Sequence, residues 1–179
     1  MKLLRLCIAL VLMALMIPAF AGGVSVLGGQ ENSATTSNDS NALQVQADLT
    51  RLAPVDLSVA YLNEGKQDNV SRQGVAALAA YTFARVSILS FSAHAGPYLM
   101  NTALDNASTT TTTGKKSSTS TTTGNVGEGW NLGVLAGVGV SARLMRNLDA
   151  VAQYHHVFTF QNATRSDADI YLIGARLGF

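Results

Sequence analysis

From Asp167 to the C-terminus the chain places an apolar residue at every second position and stops on an aromatic: Tyr171, Ile173, Ala175, Leu177 and Phe179. Successive side chains of a strand point to opposite faces, so this spacing makes an unbroken apolar face. The opposite face is mixed: Ala168, Ile170, Leu172, Gly174, Arg176 and Gly178. A period of two does not suit a helix. The segment therefore predicts a strand with one apolar side.

The same period recurs along the chain. After a strand around Val24 to Gly29 comes a polar loop over Gln30 to Asn41. Leu43, Val45, Ala47 and Leu49 then alternate with Gln44, Gln46, Asp48 and Thr50, and a tight Pro-containing turn at Leu52 to Val55 leads to Leu57, Val59 and Tyr61 opposite Asp56, Ser58 and Ala60. Asn63 to Arg72 reads as a polar loop, Gly74 to Phe83 as the fourth strand, and Ala84-Arg85 as its turn. In the fifth strand Leu89, Phe91, Ala93 and Ala95 face away from Ser90, Ser92 and His94, with Pro97-Tyr98 at its rim. Asn101 to Gly129 is the longest loop. Its Thr/Ser tract has nothing apolar to bury, which predicts mobility. Trp130 to Leu144, Asp149 to His156 and the terminal segment complete eight strands, with a turn at Met145 to Asn147 and a polar loop over Gln161 to Ser166. The connections alternate long and short, as in barrels with short turns at one end and longer loops at the other.

Met1 to Ala21 reads as a secretory signal peptide: Lys2 and Arg5 start it, Cys7 to Pro18 is apolar, and Ala19-Phe20-Ala21 has small-x-small cleavage character. The apolar run is shorter than the roughly 20 residues a spanning helix needs. Cleavage leaves a domain over 22–179 and removes Cys7, the single cysteine, so disulfides, a zinc–cysteine site and a thiol nucleophile are excluded. Losing Lys2 and Arg5 from the 12 basic residues leaves them one short of the 11 acidic ones, and no basic patch for nucleic acid stands out.

Charged residues make up 13% of the chain, where a soluble domain has roughly 25%. Apolar residues interleaved with polar ones, rather than run together, fit a barrel in lipid. Most strands run to about ten residues, enough for a tilted strand to cross a bilayer. Closing the sheet is what pairs every backbone polar group there. Tyr61, Tyr81, Phe83, Phe91, Tyr98, Trp130, Tyr154, Phe158, Tyr171 and Phe179 fall mostly near strand ends, where rings suit the headgroup level. The expected fold is all-β, an eight-stranded antiparallel up-and-down transmembrane barrel.

The terminal strand ending on Phe179 resembles the C-terminal signal that Gram-negative outer-membrane barrels present to their insertion machinery, with Tyr171, Ile173, Leu177 and Phe179 as its residues. Together with the strand pattern and the leader, the chain resembles the small eight-stranded barrel superfamily that includes the transmembrane domain of outer-membrane protein A. Tyr61-Leu62-Asn63-Glu64-Gly65, Gly96-Pro97-Tyr98 and Arg165-Ser166-Asp167-Ala168-Asp169 resemble segments of uncharacterised small barrels of that superfamily. The resemblance implies an outer-membrane location, contact with outer-membrane lipids and lipopolysaccharide, assembly through periplasmic chaperones and the insertion machinery, and a monomer. No peptidoglycan-binding domain follows the barrel, so an envelope-tethering role is not implied.

The lumen-facing set is expected to be Gln44, Gln46, Asp48, Asp56, Ser90, Ser92, His94, Arg143, Gln153, His155 and Arg176. In a narrow lumen these suit a closed hydrogen-bonded network, because an unpaired buried charge is costly. No ring of one charge sign suggests a selective channel. Small barrels that deacylate lipid A carry a nucleophilic Ser two residues after a catalytic His. Here Val157 and Phe158 stand two after His155 and His156, so neither His has such a partner. No metal cluster, phosphate loop or complete triad appears, and no cofactor is implied. The expected function is a non-enzymatic barrel with an envelope-structural or surface-interaction role through its loops. A lipid A hydrolase and a narrow channel are the alternatives.

Deleting Phe179 is expected to slow membrane insertion and leave unfolded protein in the periplasm, whereas deleting the Thr-rich tract leaves assembly intact. Heat-modifiable gel mobility reads both outcomes, and a wild-type insertion rate without Phe179 removes the signal role.

Overall fold

The computed structural model describes residues 22–33, 40–52, 54–67, 70–104, 110–113, 116–119, 129–160 and 167–179. The signal-peptide reading over Met1 to Ala21 lies outside them. The described residues form ten strands: β1 (Gly23–Ser33), β2 (Ser40–Leu52), β3 (Val55–Gln67), β4 (Val70–Val86), β5 (Leu89–Leu104), β6 (Thr110–Thr113), β7 (Lys116–Thr119), β8 (Gly129–Met145), β9 (Leu148–Thr159) and β10 (Ala168–Gly178). Eight of them close a barrel in the order β1-β10-β9-β8-β5-β4-β3-β2, every neighbouring pair antiparallel. β1 and β10 make the seam, from Gly23 opposite Gly178 to Ser33 opposite Ala168. One further bond, from the Phe179 N–H to the Gly22 carbonyl (3.1 Å), extends it.

Alternation decides which side each residue takes. Ile173 and Phe179 are 71% and 73% exposed on the outer wall, while Ile170 on the opposite face is fully buried. Val26, Leu43, Val75, Leu99, Leu132, Val138 and Leu177 also stand on the outside, and Gln44, Gln46 and Asp48 are buried within. The barrel is apolar without and partly polar within, the reverse of a water-soluble domain. Among the described residues no helix is long and apolar enough to cross a membrane.

The strands are longer than the sequence pattern suggests, and bulges explain why. Ala84-Arg85 is not a turn: β4 runs on to Val86, and the connection is Ser87-Ile88. A register shift between Thr82 and Ala84 breaks the alternation where the sequence looks as if it stops. Ser87 sits at φ 56°, the left-handed region that closes such tight connections. Asn63 to Arg72 is not a loop either, since β3 reaches Gln67 and β4 begins at Val70. The pairing is irregular between Asn63 and Lys66, where Gly65 has φ 74° and donates its N–H to Asn63 Oδ1 at 2.9 Å. Nor do Pro97-Tyr98 mark a rim. β5 continues to Leu104 and Tyr98 is fully buried inside. Within the Thr/Ser tract, Thr110–Thr113 pairs with Lys116–Thr119 as a two-stranded ribbon.

These faces predict labelling. A cysteine at position 46 meets the lumen and one at position 45 the apolar wall, so water-soluble reagents modifying only position 45 in intact membranes would overturn the register. Val134→Arg is expected to cost roughly 2 to 4 kcal/mol if the site lies near the midplane, read from unfolding in lipid vesicles.

Candidate functional site

The interior changes character along its axis, as the inward residues of β3 show. From the long-loop end they are Glu64, Leu62, Ala60, Ser58 and Asp56. At the top is a buried charge cluster. Arg72 donates through Nε to Glu64, is ion-paired with the same carboxylate, and places Nη2 3.6 Å from Glu31 Oε1. Tyr98 donates its hydroxyl to Glu64 Oε1 at 2.7 Å, and Ser40 Oγ lies 3.0 Å from Glu31 Oε2. Arg72, Glu31 and Glu64 have no exposed side-chain surface. Below this cluster Leu27, Leu62, Leu135, Val157 and Ile170 pack as a fully buried apolar core.

A hydrogen-bonded chain follows. His94 Nε2 lies 2.8 Å from His155 Nδ1, and His155 Nε2 lies 3.1 Å from Gln153 Oε1. An amide oxygen only accepts, so His155 donates through Nε2 and its Nδ1 accepts from His94. Gln44 Nε2 donates to Gln153 Oε1 (3.1 Å) and Gln46 Oε1 (3.0 Å), and Gln46 Nε2 donates to Ser58 Oγ (3.0 Å) and Asp48 Oδ1 (3.5 Å). Arg176 closes the chain on Asp48 Oδ2 at 2.5 Å.

Gln44, Gln46, Asp48, His94, Gln153, His155 and Arg176 thus meet in one network. Asp56, Ser90 and Ser92 have no part in that chain but line, together with Gln46, Asp48, His94, Gln153 and Arg176 from it, a cavity of about 450 Å³ in the half toward the short turns. A further space of about 280 Å³, bordered by Arg146 and Asn147 of the last turn, lies at that end. Arg143 borders both spaces but is not bonded into the network: its side chain is 74% exposed and lies 3.9 Å from Asp149. The lumen is therefore packed in one half and hollow in the other.

Sequence reading missed Glu31, Glu64, Arg72 and Tyr98 because it placed them in loops or at a rim. Arg72 and Glu64 flank the β3–β4 connection, and continued alternation past Asn63 was the available signal. The structure places His156 on the outer wall with Nδ1 2.7 Å from Asp169 Oδ1, which accepts the Tyr154 hydroxyl at 2.6 Å as well. Tyr171, Ile173, Leu177 and Phe179 share that outer face of β10. Among the described residues no cluster of His, Cys, Asp or Glu suits a metal ion.

No protein-family model matches the chain, and no curated protein sequence does. Solved structures do match. Neisserial surface protein A has a TM-score of 0.63 at 18% identity, covering 88% of this chain and 96% of that one. The N-terminal β-barrel domain of Pseudomonas aeruginosa OprF has a TM-score of 0.56 at 14% identity, covering 88% and 99%. Ail, the attachment invasion locus protein of Yersinia pestis, in complex with the heparin analogue sucrose octasulfate, has a TM-score of 0.50 at 10% identity, covering 89% and 100%. The chain has the fold of the small eight-stranded bacterial outer-membrane barrels.

The charge cluster predicts a stability experiment. Arg72→Ala leaves Glu31 and Glu64 facing each other without their cation and is expected to cost about 3 to 5 kcal/mol. Replacing Glu31, Glu64 and Arg72 together by apolar residues of similar volume is expected to cost less. Urea unfolding in lipid vesicles measures both.

Proposed function

We propose that the chain is an exported, monomeric outer-membrane barrel of a Gram-negative bacterium. In this reading residues 1–21 are removed on export, periplasmic chaperones and the insertion machinery use the terminal strand, and the short turns face the periplasm. The barrel is a closed, non-enzymatic scaffold whose outer loops serve the envelope surface. The observation that carries the reading is the inverted polarity of the barrel, with an apolar wall around a lumen closed on its loop side by the Arg72 cluster and the core beneath it.

The surface-interaction role draws support from a neighbour of the same fold, since Ail is held there with a sulfated saccharide analogue. The polar composition of 34–39, 105–109 and 161–166 suits a solvated outer face.

Among the described residues the hydrolase reading lacks a nucleophile bonded to His156. A serine hydrolase needs a hydroxyl within hydrogen-bond reach of its His. His156 has its acid, Asp169, but Phe158 stands two residues on, its ring 4.3 Å from the imidazole, and the Tyr154 hydroxyl donates to Asp169. The channel reading has the hollow periplasmic half in its favour, and the packed outer half argues against it.

Lipid A from cells with and without the protein is expected to have the same mass spectrum. Loss of an acyl chain that depends on His156 overturns the non-enzymatic reading. Planar bilayers are expected to show no steady conductance from the pure protein, and openings altered by substituting Arg72 or Arg176 would instead establish a channel.

A further inference from the structure

From His94 toward the short turns, the inward residues of three adjacent strands are all small. They are Ala80 and Thr82 on β4, Ser92 and Ser90 on β5, and Gly139 and Ser141 on β8. The strands across the lumen carry long side chains instead, Gln46 on β2, Gln153 on β9 and Arg176 on β10. That difference leaves the cavity of about 450 Å³, which falls in the range of small-molecule sites, about 300 to 1,000 Å³. Its inner end is shut: His94 Nε2 lies 2.8 Å from His155 Nδ1, and the apolar core packs beyond them. Toward the short turns it adjoins the second space, with which it shares Asp48, Asp56, Arg143, Asp149 and Arg176. The half-lumen is a blind pocket with its mouth at the short turns.

The β4 bulge turns a guanidinium into this pocket. Thr82 pairs with Ser92, but past the register shift Ala84 pairs with Phe91 and Arg85 with Ser90. Strict alternation from Thr82 would put Arg85 on the outer wall. The extra residue reverses its side, and Arg85 lines the cavity with Ser90 opposite it. The other charges there are matched: Arg176 pairs with Asp48, Arg143 faces Asp149, and Asp56 is partnered as well. Among the described residues neither Arg85 nor Arg146, which borders the outer space, has a carboxylate partner. Spare positive charge at the mouth of a low-dielectric tube draws anions inward. Deeper in, the hydroxyls of Ser58, Ser90, Ser92 and Ser141 can each donate and accept.

We propose that this half of the lumen binds a small hydroxylated anion of the sugar-phosphate class, with the phosphate at Arg85 and the sugar hydroxyls against the serines and the Gln46 and Gln153 amides. Neither part of that chemistry suffices alone. A bare anion stops at Arg85 and leaves the hydroxyl wall to water, and a neutral sugar gains nothing from the guanidinium. A phospholipid headgroup carries similar groups, but its acyl chains would have to bend under the barrel rim to bring it inside, so the ligand is a free solute. The shut inner end means that the solute is held rather than passed through. The compartment that supplies it rests on the outer-membrane reading proposed above, in which the short turns face the periplasm.

The test uses the full chain refolded in micelles of a polyoxyethylene detergent, which carries neither phosphate nor sugar, with glucose 6-phosphate as the probe in isothermal titration calorimetry. The probe is expected to bind at least about tenfold more tightly than glucose or inorganic phosphate. Arg85→Gln is expected to weaken the probe about tenfold while leaving glucose unchanged. Ser92→Leu, which fills the pocket, is expected to abolish binding, and Ser90→Leu serves as a second pocket variant should Ser92→Leu not fold, as judged by heat-modifiable mobility. Equal affinity for inorganic phosphate marks a bare anion patch and overturns the pocket. So do no binding by the folded wild type, unchanged binding by a folded pocket variant, and displacement of the probe by phosphatidylglycerol added to the micelles. Each of these leaves the barrel assignment standing, whereas failure of the wild type to form a heat-modifiable barrel overturns both.

Discussion

The pairing of β1 with β10 is the contact on which the rest of the molecule depends. Backbone N–H and C=O groups on an apolar wall have no water to turn to, so an open edge cannot survive in lipid. The seam joins the first barrel strand to the last over the whole length of β1, from Gly23 to Ser33. Only once it closes does an inside exist, and only then do Gln44, Gln46, Asp48 and Arg176 become a network rather than four polar side chains on one face of a sheet. The bond from the Phe179 N–H to the Gly22 carbonyl extends that closure by one further pairing.

Much of this was legible in the sequence because period two is a local signal. The outward faces of β2, β8 and β10 follow directly from it, as do the inward positions of His94, Gln153 and His155. Which polar side chains bond to which depends on register between strands far apart in sequence, as with Gln44 and Gln153. Bulges hid the rest. At Thr82–Ala84 and Asn63–Lys66 one extra residue shifts the alternation, and a local reading takes a shift for an end. Composition misled in the same places. Glu64 and Arg72 are the residue types of an exposed loop, and they belong inside only because each supplies the other's counter-charge. His156 and Asp169 lie 13 residues apart in sequence, brought together by cross-strand pairing.

Inside and outside use polar groups under different rules. The Arg72 cluster is wholly enclosed, so its charges must be matched within the protein. The Asp169 group stands partly exposed on the outer wall, with Tyr154 and His156 as its partners. One stiffens the outer half from within, while the other makes one side of the barrel unlike the remaining wall. The fold is nearly symmetric in its strands, and these two clusters give it a direction and a face.

The hollow half of the lumen sets where such a molecule is free to change. Leu62, Leu135 and Ile170 are fully buried in one apolar cluster, so enlarging a side chain there means overpacking. Around Ser58, Ser90, Ser92 and Thr82 the interior opens into a cavity, and larger or differently charged groups fit without displacing a neighbour. Substitutions can accumulate there without disturbing the outer face or the closing seam. The half of the barrel at the short-turn end is thus a reservoir of tolerated variation inside an otherwise tightly determined structure, and a new luminal chemistry would have its starting room there.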